Sequence, residues 1–370
     1  MTLAHLRHHA VARTLFAPTT LRKAVARLGF VQADPIRAPA RAQDLVLRHR
    51  VKGYRAGDLE RRYPELDIEE DFFVNYGFLP RTTQALMHPR TARKAWSRAR
   101  WVDAGAVLDF VRELGVAHPR EVDAKFAHGK VTNWFGGSSN ATTHLLDEMH
   151  YRGLLRVARR EGGTRLYSAR EAPPEGATPV DPATALDALV DVIVGKYAPL
   201  PAASLGRLVS QLRGATPQWI DGRAAALARA KKRLPHVSLD GVTWYWPEGE
   251  SPSTPHPPQA EDDAVRLLAP FDPIVWDRAR FETLWGWVYR FEAYTPAPKR
   301  VRGYYALPLL WRAHVIGWGN VAVREGALDV DLGYVAGRAP RAQGFRHALE
   351  EELERMRGFL SLAHIGHPTN

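Results

Sequence analysis

Two stretches without a hydrophobic period most constrain the fold, because they cut the chain into pieces that must each find a core. Glu171 to Thr184 reads EAPPEGATPVDPAT, and Pro247 to Asp263 reads PEGESPSTPHPPQAEDD. Proline, glycine, serine and acidic residues dominate both, which is the composition of linkers. Three blocks remain, 1–170, 185–246 and 264–370. A chain of 370 residues accommodates two to four modest domains, and 45% hydrophobic content is ample for their cores.

Several classes fall away at once. The opening MTLAHLRHHA has no apolar core of a signal peptide. No run approaches the roughly 18 apolar residues that a membrane span needs. Cysteine is absent, which removes disulfide frameworks, thiol catalysis and Cys-ligated metal sites. The expectation is a soluble, cytoplasmic protein.

The net charge of +11 is unevenly placed. Residues 1–170 carry 29 Lys and Arg against 17 Asp and Glu, a net of +12, whereas residues 171–370 carry 22 against 23. A GC-rich genome favours arginine everywhere and would not leave the second half neutral. The excess therefore marks the first half as the place to seek a nucleic-acid surface.

Within that half, Gln32-Ala33-Asp34-Pro35-Ile36 follows a helix signal: Thr20 as N-cap, Leu21, Val25 and Leu28 on one face, Gly29 as the stop. Pro35 cannot continue a helix and biases Asp34 towards an extended conformation. In an extended segment Gln32 and Asp34 project to the same side. A carboxylate near an anomeric carbon can stabilise an oxocarbenium-like cation and take a proton from attacking water, while an amide holds that water in line. Arg37 and Arg41 would help keep Asp34 ionised if they approach it. The competing reading is a helix-stop turn in which Asp34 merely caps a backbone amide.

Residues 103–168 read as a winged helix. Helices are expected over Asp103 to Leu114, His118 to Phe126, and Asn140 to Arg152 with Ser139 as cap; a hairpin from Leu154 to Tyr167 turns at Gly162-Gly163. The hairpin carries Arg156, Arg159, Arg160 and Arg165, placed as a wing on phosphates would be. The second block repeats the silhouette: a helix at Ala185 to Lys196, shorter helices between Ala202 and Ala230, and a strand pair around Val237 to Trp246. The third block changes character. Strands are expected at Tyr304 to Leu310, His314 to Val323 and Ala327 to Tyr334, with a closing helix from Gln343 to Leu360. A small antiparallel barrel or curled sheet fits this pattern.

Two further segments hold chemistry-bearing residues. Phe271 to Arg278 (FDPIVWDR) sets Asp272 and Asp277 around a turn, either for a site or, the reading preferred here, as anchors. Tyr294 to Arg302 (YTPAPKRVR) gathers Lys299, Arg300 and Arg302 beside an aromatic, suited to a phosphate contact or to an exposed charged turn. Phosphate-loop, dinucleotide and HExxH signatures are missing. His144 and His150 are six apart on one expected helix and do not share a face, and Gly136-Gly137-Ser138-Ser139 reads as a loop before a helix rather than a nucleophile elbow. No metal or organic cofactor is expected.

Beyond these motifs, the sequence resembles the winged-helix DNA glycosylases of the YcaQ/AlkZ type almost end to end. Its most specific parts are LGFVQADPIRAPARAQDLVLRHRV (Leu28 to Val51) and, between Ala269 and Leu310, APFDPIVWDR and YRFEAYTPAPKRVRGYYALPLL. The resemblance implies a monofunctional enzyme that excises alkylated purines and unhooks interstrand crosslinks. Gln32 and Asp34 would lie in the catalytic motif of its Gln-x-Asp branch, whose implied substrate range is the broader one. It also implies an α+β fold of tandem winged helices and a C-terminal β-barrel. The blocks would then be an N-terminal winged-helix-like unit at 1–100, a winged helix at 101–170, a winged-helix-like unit at 185–246 and the barrel with its helix at 264–370. One departure stands out. Where the family commonly has an acidic-aromatic-tryptophan-x-histidine run, this chain reads EDFFVNYGFLP, with Phe72 for tryptophan and Val74 for histidine.

The expected partner is double-stranded DNA carrying alkylated bases, bound by a monomer that is nucleoid-associated when on DNA. The rival reading is a non-enzymatic winged-helix DNA-binding protein or transcriptional regulator, since fold alone does not decide function.

Overall fold

The computed structural model describes residues 1–92, 94–132, 138–171, 180–254 and 263–362. Residues 172–179 and 255–262 of the two linker stretches, and residues 136–137 of the glycine loop, lie outside them. The chain forms two compact units, each assembled from segments distant in sequence. One comprises Met1–Leu59, Asp191–Arg207 and Ala230–Asn370, the other Glu60–Val190 and Leu208–Arg229. Among the described residues no helix is long and apolar enough to cross a membrane.

The first unit opens with the helices Leu3–Thr14 and Leu21–Leu28. The second of these has the expected bounds, because its signals are local. The Thr20 side chain accepts the Lys23 N–H, and Leu21, Ala24, Val25 and Leu28 form the buried stripe. Gly29 ends it at φ +66, and a Cβ there would lie 2.8 Å from Val192 Cγ1, so both backbone and packing call for glycine. Two extended residues, Val31–Gln32, and the wholly buried helix Ala42–Leu47 follow. In the same unit the hairpin His236–Leu239 and Val242–Tyr245 gains a third strand, Leu200–Pro201, too short to show a period.

Four antiparallel strands, Val265–Leu267, Leu307–Trp311, His314–Arg324 and Ala327–Tyr334, pair in sequence order with an irregularity at Leu309/Leu310. Of the barrel or curled sheet expected here, the curled sheet is what forms, a half-barrel rather than a closed one: among the described residues its two outer strands do not pair. Four strands are too few to close around a side-chain core, which takes about eight. The helix Gln343–Leu360 covers the sheet, burying Phe345, Ala348, Glu352, Met356 and Phe359. Phe345 meets Trp311 and Tyr334, at ring centroid distances of 5.2 and 6.2 Å. The core beside this sheet joins Leu15, Leu268, Ile274, Val275, Phe281, Trp287, Tyr289 and Leu310.

In the second unit the helices are Arg98–Leu114, Pro119–Phe126 and Ala141–Arg152. The first starts five residues earlier than expected because Ser97 caps it, accepting the Arg100 N–H. His118 caps the second in a capping box with Glu121, and Asn140, not Ser139, caps the third. The hairpin Leu155–Glu161 and Thr164–Ala169 turns at Gly162 and Gly163, both at positive φ as a tight two-residue turn demands. Ala117 bridges Tyr167 of that hairpin. A second hairpin, Ile68–Phe72 with Tyr76–Pro80, holds the departure segment. Burial alone would push its Asp71 up, but Arg90 and His88 hold the carboxyl well below the usual range. Phe73 and Val74 are buried.

Candidate active site

Gln32 is 4% exposed, and its side-chain carbonyl accepts the indole N–H of Trp276 at 2.6 Å. That bond orients the amide and turns its NH2 group away from the indole. The Trp276 ring is itself held by Tyr197, with centroids 5.3 Å apart. Upstream, the Lys196 ammonium donates to the Phe30 carbonyl and so pins the entry to the motif.

Lys196 is buried, and burial pushes its pKa down to about 7, with Arg50 adding to the shift and Asp272 opposing it. At pH values above that, the unfolded chain keeps a proton that the folded protein has released, until the ordinary lysine value of 10.5 is passed. Stability should therefore rise between about pH 7 and pH 10, by up to about 1.4 kcal/mol per pH unit. Urea midpoints across this range should show that rise for the wild type and lose this contribution in Lys196→Met.

Asp34 is half-buried. Its Oδ1 accepts the Ile36 N–H at 2.9 Å, and its own N–H donates to Gln43 Oε1 at 3.3 Å. The capping turn weighed as the alternative therefore exists, and it leaves Oδ2 without a hydrogen bond among the described residues. Burial raises the Asp34 pKa, only partly offset by the Ile36 amide. Neither Arg37 nor Arg41 contributes to that shift. Arg37 points to solvent, and the charge of Arg41 acts on Asp44 instead. Their expected role in keeping Asp34 ionised is thus corrected: the carboxylate is made more basic by desolvation. No hydrogen bond joins the Gln32 and Asp34 side chains.

The FDPIVWDR segment anchors and contributes at once. Asp272 forms a two-pronged pair with Arg50 at 2.8 and 3.1 Å, both residues fully buried, and it accepts the Ile274 N–H. Asp277 caps the helix Arg278–Trp285 and pairs with Arg207. The carboxylates thus hold the turn, and the indole between them reaches the motif. Trp276 lies within the FDPIVWDR segment, yet nothing in the sequence signals its partner 244 residues away.

The expected phosphate contacts divide. Lys299 is exposed at the end of the short turn Ala297–Lys299, while Arg300 donates to the Thr295 carbonyl at 2.8 Å and stacks on Tyr304. Glu292 accepts the N–H groups of Val301, Arg302 and Gly303 and so shapes this loop. In the second unit Arg156 pairs with Glu69, Arg160 with Glu70 and Arg165 with Asp147. Arg159 pairs with Glu161 and, at 45% side-chain exposure, is the most accessible of the four.

A mixed α/β protein with a desolvated carboxylate in its N-terminal motif and an indole-fixed amide two residues before it has the makings of a hydrolytic site. The family model of DNA glycosylase AlkZ-like proteins matches residues 25–359, and the chain belongs to that family. It is a DNA glycosylase. Among solved structures it is similar to Streptomyces sahachiroi DNA glycosylase AlkZ, with 14% identity, a TM-score of 0.64 and 98% of each chain covered. At that identity the likeness speaks for the fold.

Proposed function

We propose that the protein hydrolyses the N-glycosidic bond of alkylated purines in duplex DNA, N7-alkylguanine foremost, with Asp34 as general base. The observation that carries this is the Asp34 carboxylate: one oxygen tied to the Ile36 amide, the other open, and the whole group made more basic by burial. Water attacks C1′ of the deoxyribose and gives a proton to Asp34, while the C1′–N9 bond breaks with its electrons passing to the purine. An N7-alkylguanine is cationic before cleavage and leaves neutral, so no acid is needed at the base, and Asp34 then returns its proton to solvent. The same cleavage would unhook an interstrand crosslink made through N7. The NH2 of Gln32 donates to the water or to the nucleotide.

Asp34 as the acceptor needs no lysine nucleophile, and the product is an abasic site without strand cleavage. Three helices followed by a hairpin occur at 98–169, with Ala117 bridging the hairpin and a short strand pair between the second and third helices, and again at 182–245, with Leu200–Pro201 as a short strand; this partial likeness supports a tandem winged-helix reading. The basic first half supports duplex binding by a monomer, with Arg37, Arg41, Arg159, Lys299 and Arg300 among the phosphate contacts and the paired Arg156, Arg160 and Arg165 in support.

The test is release of bases from methylated duplex DNA. Free N7-methylguanine should appear with abasic sites and intact strands. Release of other modified bases alone would overturn the N7-alkylguanine assignment. A narrower prediction concerns Trp276→Phe, which keeps an aromatic ring and removes the N–H that orients Gln32. Its single-turnover rate should fall about tenfold, the equivalent of one hydrogen bond of about 1.4 kcal/mol, with DNA affinity unchanged.

A further inference from the structure

Arg48, Lys52 and Arg55 follow the buried helix Ala42–Leu47, Arg266 lies in the strand Val265–Leu267, and Arg355 lies in the closing helix Gln343–Leu360. All five line one cleft of about 840 Å³ in the first unit, and among the described residues no acidic side chain lines it. Two carboxylates answer part of this charge from outside the lining. The fully buried Glu352 pairs with Arg48 and Arg355, and Glu351 lies 3.8 Å from Arg355. Lys52 and Arg55 are exposed, and their side chains form no ion pair among the described residues. Burial, with Arg48 adding to it, holds the His49 imidazole well below its usual pKa, so this lining residue adds no charge. The aromatic rings of the lining are engaged with the protein: Tyr54 stacks with Phe359 at 6.3 Å, and Arg48 lies over the Phe359 ring. The cleft therefore offers a ligand cationic side chains rather than a stacking face.

Like charges gathered in one cleft repel one another, and a bound anion relieves that cost. Phosphate suits these donors, because a guanidinium meets its oxygens with paired N–H groups and an ammonium adds a point charge. The volume exceeds what a single phosphate fills, and the cations arrive from three separate segments. Gln32 and Asp34 do not line it. We propose that this cleft is a phosphate-binding site distinct from the catalytic motif, taking a ligand with at least two neighbouring phosphates. The backbone of DNA and a free phosphorylated molecule both present that chemistry.

The test compares the full-length wild type with a variant carrying Lys52→Ala and Arg55→Ala, and with a control carrying Arg338→Ala and Arg341→Ala, two exposed arginines outside the cleft. One arm measures thermal melting in pyrophosphate against sodium chloride of equal ionic strength. The other measures affinity for undamaged duplex DNA across a range of salt. In sodium chloride the cleft variant should melt at the wild-type temperature or above, since it loses repulsion and no side-chain bond. For a free phosphorylated ligand, pyrophosphate should raise the melting temperature of wild type and control but not of the cleft variant. For the DNA backbone, the slope of log affinity against log salt should become shallower by about 1.8 in the cleft variant alone, the release expected from two phosphate contacts. Either result supports the site and names its source. A cleft variant that matches the wild type in both arms, or a control that changes as much as the cleft variant does, would overturn the proposal. Neither arm depends on base excision, so failure here leaves the proposed hydrolysis standing.

Discussion

Asp34→Asn should reduce the single-turnover excision rate by about 10²–10⁴-fold while DNA affinity and melting temperature stay near those of the wild type. The substitution keeps the size of the side chain and an oxygen for the Ile36 N–H, so the turn survives. What it removes is the negative charge that stabilises the cationic sugar, together with the only strongly basic lone pair aimed at the water. Both losses fall on the transition state, which is why the rate should change and binding should not.

The largest expected effect on stability lies at the pair that holds the site in place. Arg50 donates to Asp272 twice, to the Thr14 carbonyl at 2.9 Å and to the Val46 carbonyl at 2.6 Å, and neither partner of the ion pair is exposed. Arg50→Met would leave a carboxylate buried without its counter-charge, at a cost of about 3–5 kcal/mol. The urea midpoint should fall accordingly. Activity should fall as well, because Asp272 holds the turn from which Trp276 reaches Gln32. Replacing both partners, as in Arg50→Met with Asp272→Leu, should recover much of the stability, since no lone charge then remains in the core.

Local signals in the sequence were read correctly where a cap, a period and a stop coincide. Leu21–Leu28 has the expected bounds for that reason, and the strand Ala327–Tyr334 and the uncapped helix Gln343–Leu360 match on their periods alone. Failures occurred where the deciding partner is distant. Arginine spacing in the Leu155–Ala169 hairpin suggested free cations, yet Glu69, Glu70 and Asp147 neutralise three of them. Arg37 and Arg41, neighbours of Asp34 in sequence, do not act on its carboxylate, which responds to burial instead. A barrel and an open sheet share the same alternation along each strand, and only the number and pairing of strands separates them. The motif itself was legible as chemistry, whereas Trp276, Gln43 and Lys196 became visible only once the chain had folded around it.

The central claim, that ionised Asp34 is the base, is tested most directly by the pH dependence of single-turnover excision. Desolvation raises the Asp34 pKa, so the wild-type rate should fall about tenfold per pH unit below a midpoint displaced above the usual carboxylate value of about 3.9. The residual rate of Asp34→Asn should be flat across the same range. A wild-type rate that stays level through that range, or an acid limb that survives in Asp34→Asn, would contradict the account.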